Sequence, residues 1–553
     1  MPSDQVQRTL DTIFRKMEAN HFGRERYALL FAPGTYKVNF CVGFYTHVAG
    51  LGRNPDDVHI DGGVTVNAKW NPHGHALNNF WRVLENFSVT PSAEVPYLTS
   101  KGITRIAVSQ AAPLRRLHVR GELQLFDWGP NGNVGYASGG FLADSLVDGK
   151  VVPASQQQWL SRNSAWQHWQ NAVWNMVFVG CENAPANTFP EPAYTVIDRT
   201  PLVREKPYLY LDDAGRFRVF VPALQRNTKG VSWRNGPTPG ESLPLDAFYI
   251  AKPNESNAAK INAALAAGKH VLFTPGIYPL AEALQVVHPK TILLGLGLPS
   301  LVPTTGRPSV TVADVDGVTI AGLILDAGVP KSPCLLQVGP AGSNADHAAD
   351  PTFLYDLTVR TGGPAAGLND VGVVINSNHV VVDHIWIWRA DHGEGVGWNT
   401  NPTRNGLVVN GNDVLVYGLF NEHHEEYQTL WNGERGRVYM YQSEMPYDVP
   451  DQQSWKNGDV DGFASYKVAD HVKTHEAWGI GVYCYFRDAP IKADCGIEAP
   501  ETPGVRLHHL TTIWLDGTPG SKITHIVNDL GGRVYAPSPP AAQRQTLTEF
   551  GGH

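Results

Sequence analysis

Two stretches of this chain, about 240 residues apart, carry the same succession of landmarks, and that repetition restricts the fold more than any other feature. The first reads Ala28-Leu29-Leu30-Phe31-Ala32-Pro33-Gly34-Thr35-Tyr36; the second reads His270-Val271-Leu272-Phe273-Thr274-Pro275-Gly276-Ile277-Tyr278. Each is followed by a Gly-Leu-Gly turn, Gly50-Leu51-Gly52 and Gly295-Leu296-Gly297. Each is preceded by apolar residues at helical spacing, Leu10, Ile13 and Met17 in one case and Ile261, Ala264 and Leu265 in the other. The order helix, apolar strand, Pro-Gly-x-Tyr turn, Gly-Leu-Gly turn is therefore used twice, and a chain built from two such units has a seam where a binding cleft tends to form.

Between the landmarks run short strand-like phrases. In the second half they align as Gly322–Asp326, Asp356–Arg360, His384–Trp388, Gly418–Glu422 and Met440–Glu444, spaced 34, 28, 34 and 22 residues apart. Such spacing suits the coils of a parallel β-helix with loops of varied length. The first half has similar phrases, Val83–Val89, Leu114–Val119 and Val173–Val179. An up-and-down barrel or a sandwich would demand more tight hairpin signals than the sequence contains. The expected fold is all-β: two right-handed parallel β-helices in tandem, as two solenoid halves side by side. Residues 1–195 form the first and 248–553 the second. Residues 196–247, which read as a hairpin around Asp212 to Arg216 and then a polar Gly/Pro-rich stretch, form a connector.

Composition supports strands and turns over a helical bundle: 55 Gly, 40 Pro and 15 Trp, with only 17% charged residues. A net charge of −8 gives no reason to expect nucleic acid or an anionic membrane surface as a partner. No apolar run is long enough for a transmembrane helix. A monomer is expected. The five cysteines lack metal-ligand spacing; they read as buried thiols, with Cys484 and Cys495 able to pair in an oxidising compartment. The opening Met1-Pro2-Ser3-Asp4-Gln5 carries no signal pattern, so the protein is either cytoplasmic or secreted by a leader outside this sequence, and a secreted or extracellular place is the expectation.

The densest polar and aromatic region runs from Trp386 to Asp488. Within it Glu422 and Glu444 occupy the same phase of successive coils, and adjacent strands lie about 4.7–4.9 Å apart. Two neighbouring carboxyl groups cannot both ionise cheaply, so one is raised and stays protonated, which is the requirement for glycoside hydrolysis. Around them Trp398, Tyr427, Trp431, Tyr447, Trp455, Tyr466 and Trp478 offer flat faces for sugar rings. Gln442, Asp448 and His423 supply polar contacts to substrate. Stacked acids on a solenoid are also found as plain hydrogen-bonded ladders, and any single one of these aromatic residues belongs more often to a core than to a platform. His471 and His475 stand four residues apart but lack the His-Glu-x-x-His pattern, so neither a metal nor any other cofactor is expected.

The tandem Pro-Gly-x-Tyr and Gly-Leu-Gly units resemble the two-β-helix layout of family 55 glycoside hydrolases, exo- and endo-acting β-1,3-glucanases that invert the anomeric centre. The phrases Gln156–Asn163, Trp174–Gly180 and Tyr441–Pro450 also resemble a poorly characterised bacterial and fungal group often labelled adenylyl cyclase or coagulation-factor-type protein, labels that no residue here supports. The resemblance spans almost the whole chain in layout, although the Gly-Asp-Gly-x-x-Asp-Asp phrase common at the entry of such β-helices is absent. It implies an acidic pair on neighbouring coils of the second β-helix, facing the cleft between the halves, with Glu444 as general acid and Glu422 holding the attacking water. Inversion requires roughly 6.5–9.5 Å between carboxyl groups, whereas adjacent coils set equivalent side chains nearer 5 Å, so Glu444 is the firmer assignment. A lyase or glycan transferase on the same scaffold, with Arg360 and Arg389 as its cations, is one rival reading. A non-catalytic glycan-binding β-helix is the other. The expected partner in each case is an oligosaccharide or polysaccharide.

Overall fold

A computed structural model describes residues 3–95, 100–535 and 540–551. The chain divides into two compact units. One comprises Met1–Phe248 with the short segments Thr274–Gly276 and Gly295–Leu298; the other comprises the remaining residues up to His553. Each unit is a parallel β-helix with its own apolar core.

The repeated landmarks do the same work in both units. Helix Ser3–Met17 precedes strand Tyr27–Phe31, and helix Ala258–Ala266 precedes strand His270–Phe273. Phe31 packs edge-on against Tyr36 with ring centroids 5.0 Å apart, and Phe273 packs edge-on against Tyr278 at 5.3 Å. Both turns need glycine, because Gly34 and Gly276 adopt φ of 143° and 154°, where a side chain is strained.

In the second unit the aligned phrases are the second limbs of longer, bent strands. Thr352–Thr361, Val380–Arg389, Leu415–Glu422, Gly436–Glu444, His475–Phe486 and Val505–Gly517 stack in parallel. Each bends at one residue with positive φ: Asp356, His384, Gly418, Met440, Gly479 and His509 in turn. The two glycines adopt this conformation freely. His384 offsets part of its cost through a 3.1 Å contact with Asp356 on the coil before. Beyond the bend Leu357, Val359, Ile385, Ile387 and Leu419 point into the core, so Arg360, Trp388, Glu422 and Glu444 lie on the other face. Elsewhere on the coils Asn376, Asn410 and Asn432 form a side-chain ladder with 2.8 Å steps. The polar ladder of this solenoid is therefore built of amides, away from the acidic column. Helix Ala258–Ala266 buries Ile261 and Leu265 in the core, and the antiparallel strand Arg544–Phe550 pairs with Val505–Gly517 at the last coil.

The first unit repeats the device with bends at Asn86, Arg116, Asp144, Asn163 and Gly180. Residues 196–247 do not stand apart as a connector; they group with this unit. The reason is buried charge. Glu205 accepts two hydrogen bonds from Arg162 at 2.6 and 2.8 Å, Lys206 reaches Glu85 at 2.6 Å, and the Trp233 indole donates to the Asp144 carbonyl at 2.8 Å. Removing this segment would strand those ions in the interior.

Candidate functional site

Strand register carries the acidic column. Asp326 pairs with Arg360, Arg360 with Trp388, Trp388 with Glu422, and Glu444 with Tyr483. Phe420 stands opposite Gln442, which puts Glu422 and Glu444, two residues further along, at equivalent positions on adjacent strands. The His423 amide then donates to the Glu444 carbonyl at 2.9 Å. Glu422 is closed off at 2% exposure, whereas Glu444 keeps 8%. The Trp386 indole donates to Glu422 Oε2 at 2.8 Å, and Trp386 stacks on Trp388 at 5.0 Å.

Among the described residues no lysine or arginine pairs with Glu444. The Tyr447 hydroxyl donates to its Oε2, and His423 Nε2 lies 3.9 Å away. Burial pushes the Glu444 carboxyl up to about 7; the Tyr447 bond opposes the rise and the charge of Asp391 adds to it. Burial also holds His423 below its ordinary value, which favours the neutral ring. Asp391 stays well below the usual carboxylate range despite its burial, because His392 Nδ1 bonds it at 2.9 Å. His423 Nε2 is 4.0 Å from Asp391, so it lies between that ionised carboxylate and the Glu444 acid. Asp391, on the segment after strand Val380–Arg389, is thus a neighbour that raises Glu444 through its charge, and coil spacing did not point to it. This arrangement can hold a proton at Glu444 near neutral pH and deliver it to an oxygen within reach.

Comparisons with known proteins bear on the family of this chain. Residues 248–444 match the family model described as the LAM55 pectate lyase-like domain. Over 528 residues the chain is 50% identical to an exo-beta-1,3-glucanase of Streptomyces sp. (strain SirexAA-E / ActE), a span covering 95% of this chain and 84% of that protein. The chain belongs to the family 55 glycoside hydrolases. Among solved structures, that of sacteLam55A from Streptomyces sp. SirexAA-E superimposes with a TM-score of 0.93 at 47% identity, covering 100% of this chain and 96% of the other. A variant of sacteLam55A in complex with glucose also matches with a TM-score of 0.93, at 48% identity and the same coverage.

Within this family 55 chain the structure brings together only some of the residues named from sequence. Glu444, Glu422, His423 and Tyr447 form one cluster. Asp448 is next to it but is not available to a sugar, because both carboxylate oxygens accept from Arg389, at 2.8 and 2.9 Å. Trp431 is wholly buried in the inner core against His475, and Trp455 and Tyr466 are core residues too, so none of the three is a platform. Trp478 is sandwiched between Tyr439 and His508 in a stacked column. Tyr427 is tied to Asn457 at 2.8 Å, Glu498 at 3.3 Å and Phe463, a different neighbourhood from that of Glu444. Trp398 is half-buried, with the Arg389 guanidinium 5.7 Å from its ring. Gln442 is fully buried on the strand that ends at Glu444. His471 is exposed and His475 buried on a non-helical stretch, so their spacing does not aim them at one point. All five cysteines are free and buried. Sequence reasoning missed Asp391, Trp386 and Trp388; the run Trp386-Ile387-Trp388 on the coil before Glu422 was the available signal for the two indoles.

Proposed function

We propose that this hydrolase cleaves β-1,3-linked glucan from a chain end, with inversion, using Glu444 as the proton donor. The observation that carries the reading is a buried carboxyl pushed up to about 7, with no lysine or arginine against it among the described residues, one coil from a second carboxyl group that accepts a hydrogen bond from an indole. In the reaction the Glu444 proton passes to the glycosidic oxygen as the bond from that oxygen to the anomeric carbon breaks. Water adds to the opposite face of the anomeric carbon and gives its proton to Glu422, which holds it. The glucan linkage and exo action are those of the Streptomyces relative, an exo-beta-1,3-glucanase. A polymeric substrate places the reaction outside the cell.

The lyase reading loses support because its candidate cations are committed. Arg360 bonds both oxygens of Asp326 at 2.6 and 2.9 Å, and Arg389 is held by Asp448. Incubating the enzyme with a panel of glycans, with chromatography of the products and NMR of the first anomer formed, tests the proposal. Glucose released from β-1,3-glucan first as the α-anomer is expected. Release of an unsaturated product, or of the β-anomer, would overturn it.

A further inference from the structure

Arg389 closes the strand Val380–Arg389 and is fully buried. Its guanidinium ties together the segments that follow three successive strands. Nε donates to the Asn401 carbonyl at 2.9 Å, Nη1 to the His423 carbonyl at 3.2 Å, and both Nη atoms to Asp448. Asn401 is anchored in turn, its side-chain amide donating to the Thr361 and Ala390 carbonyls at 2.9 and 3.0 Å. Asp448 follows directly on Tyr447, whose hydroxyl rests on Glu444 and whose ring packs on His423 at 4.3 Å and on Tyr485 at 4.9 Å.

This geometry makes the Arg389–Asp448 fork the part that locates Tyr447. A bidentate guanidinium–carboxylate pair fixes two planes against each other, which a lysine ammonium cannot do. We propose that Arg389 and Asp448 are positioning residues for the proton donor: they clamp the segment after strand Gly436–Glu444 so that the Tyr447 hydroxyl stays on Glu444. Neither residue touches the reacting atoms. The inference rests on Glu444 being the acid. Glu425, 3.6 Å from Arg389 and pushed up to about 7 by burial, can stay neutral and leave the clamp to Asp448. The ionisable groups around Glu444 are Asp391 and His392 after strand Val380–Arg389, Glu422 and His423 at and after strand Leu415–Glu422, Tyr447 itself, and Tyr483 on strand His475–Phe486.

The test compares Arg389→Lys, Asp448→Asn and Tyr447→Phe, each checked for folding by circular dichroism, over a pH series of kcat/KM on a β-1,3-gluco-oligosaccharide. The Tyr447 bond lowers the Glu444 carboxyl, so its loss moves the basic limb of the profile to higher pH. Tyr447→Phe and Arg389→Lys are expected to move that limb in the same direction, and the double variant no further than Tyr447→Phe alone. Misplacement of the acid should cost up to about 100-fold in kcat/KM. Asp448→Asn carries the same test if Arg389→Lys fails to fold. Activity that falls with the basic limb unmoved, or a limb that moves in Tyr447→Phe alone, would overturn the inference. Glu444→Gln separates the two ideas: if it keeps normal turnover the acid assignment is wrong, whereas if it is inactive and the limb of Arg389→Lys is unmoved, only the clamp is wrong.

Discussion

Glu85 in the first unit and Glu444 in the second are buried alike, at 6% and 8% exposure, yet their carboxyl groups are displaced in opposite directions. Glu85 bonds Lys206 at 2.6 Å and His47 at 2.8 Å, and although burial alone would raise it, these partners hold it near 2. Glu444 meets a tyrosine hydroxyl, a histidine held below its ordinary value and the charge of Asp391, and burial raises it to about 7. The same fold thus holds a buried carboxylate ionised where a cation is supplied and raises one towards neutrality where, among the described residues, no lysine or arginine meets it. Asp448, held by Arg389 and only four residues beyond Glu444, brings both situations within one short stretch.

The sharpest way to break this contrast is Glu444→Gln, which keeps shape and removes the transferable proton. Turnover of unactivated glucan is expected to fall by about 10²–10⁴-fold with folding intact, and less on a substrate with a good leaving group. The same variant has a stability signature. The folded carboxyl of Glu444 lies above its unfolded value, so the group imposes no cost below about 4.5 and an increasing cost as pH rises through about 7. Thermal unfolding should therefore show Glu444→Gln gaining on the native chain between pH 5 and 8. A constant difference across that range would mean that Glu444 is not raised.

Lys206→Met attacks the other side. It leaves Glu85 without its ammonium partner and should cost about 3–5 kcal/mol in denaturant unfolding at neutral pH, much of it recovered by adding Glu85→Gln. Here the folded carboxyl lies below its unfolded value, so the stability it contributes is complete above about 4.5 and is lost as pH falls towards 2. That acid-range loss should shrink in Lys206→Met. If Lys206→Met instead abolished turnover per folded molecule, Glu85 would belong with the catalytic carboxylates.

The smallest effect is expected from Asp391→Asn. Removing its charge lowers Glu444, so the basic limb of the kcat/KM profile should move to lower pH, opposite to Tyr447→Phe. An unmoved limb would return the raising role to Glu422.

Much of this was legible in the chain. The two Pro-Gly-x-Tyr units mark where each solenoid begins, because only glycine accepts the φ of Gly34 and Gly276 and the following tyrosine has a phenylalanine to pack against. The phase of Glu422 and Glu444 was legible as well, since parallel stacking turns equal position within a repeat into adjacency in space. Which aromatic residues face outward was not. Trp431, Trp455 and Tyr466 share the polar neighbourhood in sequence, but loops of unequal length obscure the phase of their strands, and tertiary packing drew all three into the core. The partners of long range also came only from the folded chain: Arg389 with Asp448, Asp391 near Glu444, and Lys206 with Glu85 across 121 residues. Sequence spacing determined which carboxylates sit on neighbouring coils. Burial, and whether a cation meets each group, decided which of them is raised towards neutrality, because a carboxyl group's proton affinity depends on its surroundings and those exist only once the coils are stacked.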